Sequence, residues 1–468
     1  MTNARTYLFT DHTIIAQAFA MRRRVEPPRP LQDEPVLWNA QAYGSVLRDP
    51  KTGLFRMWYL GQRYYHEYFA ASSDGVHWEL PNLGVYPPDE LGRANAFLGK
   101  HQSDAQGNWL VGGNGPEGFS VLDAEIEDHP AAKERFTALY LASKDDQVSG
   151  LCIAHSPDGI HWIAEPSNPV IRSWMDTSAC LIWDPDIRRY VVYGRPPVRV
   201  SVVREANRYV MRSESADLVH WDVPRTTLTT DDADADPWDQ IDEGALAGKA
   251  ERVVRGPNRQ WYGLSAFKTA GMYIGFARMF DVPSGAGWIE LIHSSDGIGW
   301  HREPLREPFI APRPGSWEDP LLLTTVTSPP IRLDDDLLIY HGGMNAPHHG
   351  ACDLDKRGIG CRVAKADRWV GYHSATEEAE LLTHPVAFKS RLRINARTGQ
   401  NGWIRVGLVT DWGEEIEGYE LSDAVPITGD SVRHDVRWTN TDRLPARESL
   451  RVRVRSQNAS IWALETGD

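Results

Sequence analysis

Only four cysteines occur in 468 residues, Cys152, Cys180, Cys352 and Cys361, and none forms a C-x-x-C pair. A disulfide scaffold is excluded for a chain of this size, and reduced, mostly buried thiols are expected. Cys352 and Cys361 flank a short glycine-containing stretch where they would face each other across a hairpin, but neither a functional disulfide nor a metal pair is expected of them. No run of 18 apolar residues is present. The amino-terminal MTNARTYLFTDHTII lacks the basic segment, apolar run and small-residue cleavage site of a secretory signal. A cytoplasmic protein with no membrane partner is the expectation. Positive charge is also short: 50 Lys and Arg against 64 Asp and Glu leave a net charge of -14. Nucleic-acid backbones and anionic membranes demand a basic footprint, so neither is an expected partner. Sustained helical periodicity is missing too, which leaves strands to build the core.

What is there is ordinary in bulk and regular in detail. A hydrophobic fraction of 41% and a charged fraction of 24% are those of a folded globular chain. At roughly 100–200 residues per domain, two or three units are expected. The pattern S-x-D-x-x-x-W occurs four times, ending at Trp78, Trp162, Trp221 and Trp300, and three copies carry Asp-Gly. Short runs rich in β-branched and aromatic residues precede each copy, among them LFRMWYLG, ERFTALYLA, RYVVYGR and MYIGFARMF. Consecutive strands closing on the same turn every 60 to 80 residues or so predict a β-propeller. A fifth unit ends in the degenerate Asp367-Arg368-Trp369, so five blades are expected over residues 1–375. TYLFTDHTII is expected to pair with the last blade and close the ring. Over residues 376–468 the repeat gives way to strands such as SRLRINA, WIRVGLVTD, LRVRVRS and SIWALET, which predict a small C-terminal β-sandwich.

In a propeller the first strand of every blade lines the central channel, so polar residues at blade starts converge from distant parts of the chain. Carboxylates so placed are Asp176 in WMDTSAC, Glu318 and Asp319 in GSWEDP, Glu117 before FSVLDAE, and Asp11 in FTDHTII; Asp242 and Glu243 sit in the acidic insertion at 228–250. Paired carboxylates facing a pocket are what glycoside hydrolysis needs, one to protonate the leaving oxygen and one to activate water or attack the anomeric carbon. Each has a plainer reading as a turn cap beside Pro or Gly. Asp49 and Asp184, each followed by Pro between two strands, are read as hairpin turns.

Eighteen tryptophans exceed what the repeat uses, and Trp58, Trp174, Trp238, Trp261 and Trp317 fall near blade starts or the insertion. Flat rings stack on the apolar faces of sugars, with core packing as the alternative for each. Tyr43, Trp58, Glu117, Arg195, Tyr262, Trp317, His341 and His349 form the expected substrate-binding set. In YHGGMNAPHHG the adjacent His348 and His349 lack the i, i+4 spacing of a helical zinc site, so a substrate or acid/base role is favoured, and neither metal nor cofactor is expected.

Together, LFTDHTII, YGSVLRDPKTGLFRMWY, the S-x-D-G-x-x-W repeats, GSWEDP, YHGG with HHG, and TGDSVRHDVRW resemble glycosyl hydrolase-like proteins of the five-bladed propeller superfamily of invertases, levansucrases, arabinanases and β-xylosidases. The resemblance spans nearly the whole chain. It implies a central pocket with three carboxylates: Asp11 or a blade-one group as nucleophile or base, Asp176 as transition-state stabiliser, and Glu243 or Glu318 as acid. Two departures stand out. The invertase signatures W-M-N-D-P-N-G and E-C are missing, and Asn39 and Gln41 occupy the blade start where an arabinanase-like enzyme carries its base. The expected function is a glycosidase acting on a small glycoside, with furanosides among the candidates. The alternatives are a phosphorylase using Arg195 with His348 and His349, a noncatalytic sugar-binding propeller, or one recruited to rearrange another metabolite. Homo-oligomerisation is left open.

Overall fold

The computed structural model describes residues 5–61, 66–113, 115–145, 148–172, 175–196, 208–234, 259–348, 357–445 and 447–467. Among them there is no α-helix, only strands and the 3₁₀ turns His12–Ile14 and Asp232–Asp234. Among the described residues no helix is long and apolar enough to cross a membrane.

Three four-stranded antiparallel sheets run in chain order. Ala40–Arg48, Phe55–Gly61, Glu67–Ser72 and Ala96–Leu98 make the first; Glu117–Asp123, Phe136–Ser143, Ser149–Ser156 and Ile163–Ala164 the second; Asp176–Asp184, Arg189–Arg195, Val210–Ser215 and Arg225–Leu228 the third. A ten-stranded sheet holds two further groups, one opened by Arg259–Thr269 and one by Leu321–Thr325, joined through the parallel pair Gly287 and Leu321. The opening strands lie side by side in order, and Leu321–Thr325 returns to Ala40–Arg48. They are buried on both faces, so they read as near-continuous apolar runs rather than alternating ones.

Small polar side chains tie these opening strands together. Ser45 Oγ meets Thr327 Oγ1 at 2.9 Å and accepts from Val121 N at 2.9 Å; Ser120 Oγ accepts from Leu181 N at 3.0 Å. Cys180 Sγ donates toward Thr327 O (3.3 Å) and Ala266 O (3.5 Å), and Thr325 Oγ1 donates to Ser265 Oγ at 3.0 Å. Cys180 is thus a buried free thiol, as are Cys152 and Cys361; Cys352 lies outside the described residues.

The S-x-D-x-x-x-W segments are turns. Ser72, Ser156, Ser215 and Ser294 each accept from the amide three residues on, and Asp74, Asp158, Asp217 and Asp296 each accept from two following amides. The residue after each Asp has positive φ: 78° at Gly75, 84° at Gly159, 69° at Leu218 and 70° at Gly297. At Leu218 its carbonyl accepts from Trp221 Nε1 of the same segment (2.8 Å), whereas at the three glycines it is used by the preceding strand group. Trp58 Nε1 donates to Gly159 O (2.7 Å), the Tyr193 hydroxyl to Gly297 O (2.8 Å), and the Tyr340 hydroxyl of the last group to Gly75 O of the first (2.7 Å). The motif's own Trp fills the same seam: Trp162 packs on Phe97 and Phe119, and Trp369, closing the degenerate copy, packs on Phe267, Phe276 and Phe309.

The amino terminus departs from expectation. Arg5–Leu8 pairs with Ser449–Gly467 and Ile15–Phe19 with Ala379–Thr383, so TYLFTDHTII belongs to the nine-stranded C-terminal sheet. The last group is instead extended by Arg29–Pro30 and Leu37–Trp38, both pairing with Arg357–Lys365. The reason lies in the core: Tyr7 and Phe9 pack with Leu392, Ile394, Ile461 and Leu464 of that sheet. SRLRINA and WIRVGLVTD also fuse, as the 19-residue strand Arg391–Val409, and LRVRVRS and SIWALET as Ser449–Gly467, because bulges carry the ladder through.

The seam contacts set the first testable expectation. Gly159→Ala places a Cβ 2.7 Å from the Trp58 ring at a φ of 84°. A loss of about 1–3 kcal/mol is expected in denaturant unfolding, against about 1 kcal/mol for Tyr340→Phe. Unchanged stability in both would refute the latch.

Candidate active site

A cavity of about 310 Å³ opens at the starting ends of the opening strands, lined by Gln41, Tyr43, Glu117, Asp176, Tyr262 and His348 among others. Each of these strands has an irregular register near its start, between Gln41 and Ser45, Glu117 and Phe119, Asp176 and Cys180, Trp261 and Gly263, and Leu321 and Thr324. Bulges re-aim side chains, and here all five lie at the cavity end.

Asp176 and Arg195 are cross-strand partners and form an ion pair. The Arg195 side chain is 3% exposed and that of Asp176 37%, so the carboxylate faces the cavity while the guanidinium backs it. Arg195 lies 4.2 Å over the Tyr262 ring. The Tyr262 hydroxyl is 3.4 Å from that of Tyr43 and 3.2 Å from His348 Nε2. Burial, reinforced by Tyr262, holds the Tyr43 hydroxyl well above its ordinary proton affinity, so it remains a neutral donor.

Glu117 is the perturbed acid of the site. Burial, then the charge of Asp176, push its carboxyl up to about 7, with Arg195 opposing. Behind it, Glu67 is fully buried, and neither oxygen makes a hydrogen bond of normal geometry. Burial and then Glu117 raise it well above the carboxylate range, the Gly118 amide pulling weakly the other way. Glu67 escaped the sequence reading because it heads the third strand of its sheet, Glu67–Ser72, and not an opening strand. The available signal was a single acid heading the otherwise apolar EYFAA.

The other expected residues are dispersed. Trp58 is a fully buried core residue against Phe69 and Phe136, away from the cavity lining. Glu318 is buried just behind the wall, where a Cβ on Gly343 would come within 2.7 Å of it, and is paired with Arg313 (3.0 Å) and Arg362. His341, also buried, lies 3.7 Å from Glu318; Trp317 stacks on it with ring centres 5.9 Å apart. Desolvation and Arg362 hold His341 well below the ordinary range, so it stays neutral. The cavity wall here is instead Gly342 and Gly343 of YHGG. Asp319 accepts from Gly315 N at 2.8 Å, and Asp11 caps the turn His12–Ile14. Glu243 and His349 lie outside the described residues, as do Trp174 and Trp238. Asp231 and Asp234, at the start of the acidic insertion, pair with Arg306 and Arg302. Asp49 pairs with Arg56 and Arg135 at its hairpin turn. Among the described residues no group of three or more His, Cys, Asp or Glu is placed to hold a metal ion.

No family model matches the sequence, and no curated protein matches it. Among solved structures the chain is similar to a thermostable family-43 glycoside hydrolase, at 13% identity over 73% of this chain and 92% of that one, with a TM-score of 0.49. It is also similar to a fructofuranosidase from Schwanniomyces occidentalis complexed with fructosylnystose (9% identity, 94% and 97% covered, TM-score 0.44). A third likeness is to a β-1,2-mannobiose phosphorylase from Listeria innocua in complex with β-1,2-mannobiose (12% identity, 78% and 97% covered, TM-score 0.45). At these scores neither fold nor chemistry follows from the likenesses alone.

The charge coupling at the site is measurable. Asp176→Asn removes the like charge that helps to raise Glu117, leaving burial alone to oppose Arg195. The Glu117 carboxyl, followed by carbon-13 NMR, is expected to titrate clearly below about 7 in this variant. A titration unmoved from the wild type would separate the two groups.

Proposed function

We propose that residues 26–369 form a five-bladed β-propeller, that residues 370–468 form a small β-sandwich completed by the amino-terminal strands, since Val370–Ser374 pairs with Met21–Val25 and Ser449–Gly467, and that the propeller cavity is the active site of a carbohydrate-active enzyme cleaving a small glycoside. One observation carries this reading: Glu117 and Asp176 share a cavity, and their surroundings differ in the sense acid/base catalysis requires. Glu117, held protonated up to about pH 7, gives its proton to the leaving oxygen. Asp176, ion-paired with Arg195, is the carboxylate that activates water or meets the anomeric carbon. Tyr43, Tyr262 and Gln41 supply hydroxyl and amide groups that orient a polar substrate. The cyclic order of the opening strands, the Tyr340-to-Gly75 latch and the recurring turns support the blade count.

A second reading has its own support. Arg357 and His348 line the same cavity, and a basic pair of this kind suits inorganic phosphate as the attacking group, which would make the enzyme a phosphorylase. Turnover that requires added phosphate would select it over hydrolysis.

The test is a panel of aryl glycosides with leaving groups of graded acidity. Glu117→Gln is expected to lower kcat by about 10²–10⁴ on poor leaving groups and far less on activated ones, which need no acid. The alkaline limb of the wild-type pH profile is expected near about 7 and absent from the variant. Asp176→Asn is expected to lose turnover across the panel. Equal activity of both variants with the wild type, or binding without turnover throughout, would reject the catalytic reading.

A further inference from the structure

The run Arg22-Arg23-Arg24 lies in Met21–Val25, an outer strand of the C-terminal sheet, and strand alternation divides it between two faces. Arg23 turns to one side, where its guanidinium pairs with Glu303 and donates to the Phe9 and Thr10 carbonyls. Arg22 and Arg24 take the other side. Both are exposed, and with the described residues they form no ion pair or hydrogen bond. Register carries their face across the sheet: Arg22 is opposite His373, His373 opposite Ser460, and Ser460 opposite Arg397. Directly opposed residues project to the same side, so Arg22, Arg24 and Arg397 share one surface.

Beneath them lies an indole with nothing to donate to. Trp462 is fully buried, and its Nε1–H has no hydrogen-bond acceptor. Arg368 and Arg397 lie over its ring at 4.2 and 5.5 Å, and His373 meets it edge-on with ring centres 5.9 Å apart. The Nε1 edge lies across Gly371, where a Cβ would come within 2.6 Å of it, and Gly371 is the register partner of Arg24. His373 repeats the pattern: Nδ1 is 2.8 Å from Ser460 Oγ, and Nε2 is buried without a partner. Burial, then the charges of Arg397 and Arg24, hold this imidazole down at about 4, so it adds a neutral group and no further charge.

The other charges around this face are matched. Glu26, two residues beyond Arg24, pairs with Arg397 at 3.6 Å, Asp430 with Arg368 at 2.5 Å, and Asp336 with Lys365 at 2.8 Å. Glu465 is held by Arg393 and Arg433, Glu380 by Arg453 and Arg455, and Asp367 faces Arg332 and Arg433. Glu377 and Glu378 follow Ser374, at the end of that strand away from Gly371 and Arg24, and pair with neither arginine. Arg22 and Arg24 are left as unmatched positive charge.

We propose that this face binds a doubly charged oxyanion, a phosphate or sulfate group, held by Arg22, Arg24 and Arg397 with the Trp462 indole as a buried donor. Guanidinium forks match the oxygens of such groups, and an indole N–H donates without accepting, so both favour an anion. The acceptor that Trp462 lacks is what the oxyanion supplies. The site lies on the C-terminal sheet and does not depend on the glycoside reading of the propeller cavity.

The experiment is calorimetric titration of the full chain, at low ionic strength, with inorganic phosphate, inorganic sulfate and glucose 6-phosphate. Saturable binding of at least one is expected, and the ratio of the ester to inorganic phosphate tells an esterified group from a free ion. The double variant Arg22→Gln/Arg24→Gln is expected to lose about tenfold or more in affinity. Both side chains are exposed and unpaired, so the fold is expected to survive. Glu26→Gln, which releases Arg397, is expected to tighten binding, and Arg357→Gln in the propeller cavity to change it by less than about twofold. One indole N–H proton resonance is expected to move with saturation in the wild type and to stay fixed in the double variant. Absence of saturable binding, full affinity in the double variant, weaker binding in Glu26→Gln, or unmoved indole resonances would each overturn the proposal.

Discussion

The arrangement depends on a belt of short polar side chains where the opening strands crowd together. Ser45, Ser120, Cys180, Ser265 and Thr327, one from each strand group, bond to the backbone or hydroxyl of a neighbouring group. These strands are buried on both faces, and while one edge of each is paired with the next strand of its group, the edge toward the common axis has no continuous ladder to satisfy it. Water is excluded there, so an unpaired amide or carbonyl would cost about 1–3 kcal/mol. A hydroxyl or thiol is small enough for close strand approach and can donate and accept, which no aliphatic residue of similar size does.

The belt also separates two mouths with different chemistry. Toward the starting ends, register irregularities turn Glu117, Asp176 and Tyr262 into one cavity, and the close approach of backbones at Gly342 and Gly343 leaves room beside them. Toward the far ends the strands run regularly into hairpins, and the lining becomes aliphatic with paired acids around it. Polarity therefore follows strand direction, since side chains on the same strand serve opposite ends of the axis.

Much of the outer architecture was legible in the sequence because it is made by local interactions. The Ser and Asp of each S-x-D-x-x-x-W segment bond amides within three residues, and positive φ at the next position favours Gly. Trp58 misled as a sugar platform because an indole before a turn looks alike whether it meets substrate or a neighbouring carbonyl. The amino-terminal strand was misplaced for a related reason: an edge strand's pairing partner depends on which core accepts Tyr7 and Phe9, and both alternatives have the same local pattern.

At the site the limit was different. Asp176 and Glu117 could be nominated from their positions at strand starts, and so could Glu318, since all three look alike as acids beside a strand. What distinguishes them is surroundings built from elsewhere: Arg362, 44 residues on, neutralises Glu318, whereas Asp176 from another sheet raises Glu117. Repeats, turns and strand content are encoded over a few residues and survive in one dimension. Proton affinities and cavity walls arise from burial and from charges contributed by separate strands, so they exist only once the chain has brought those strands around a common axis.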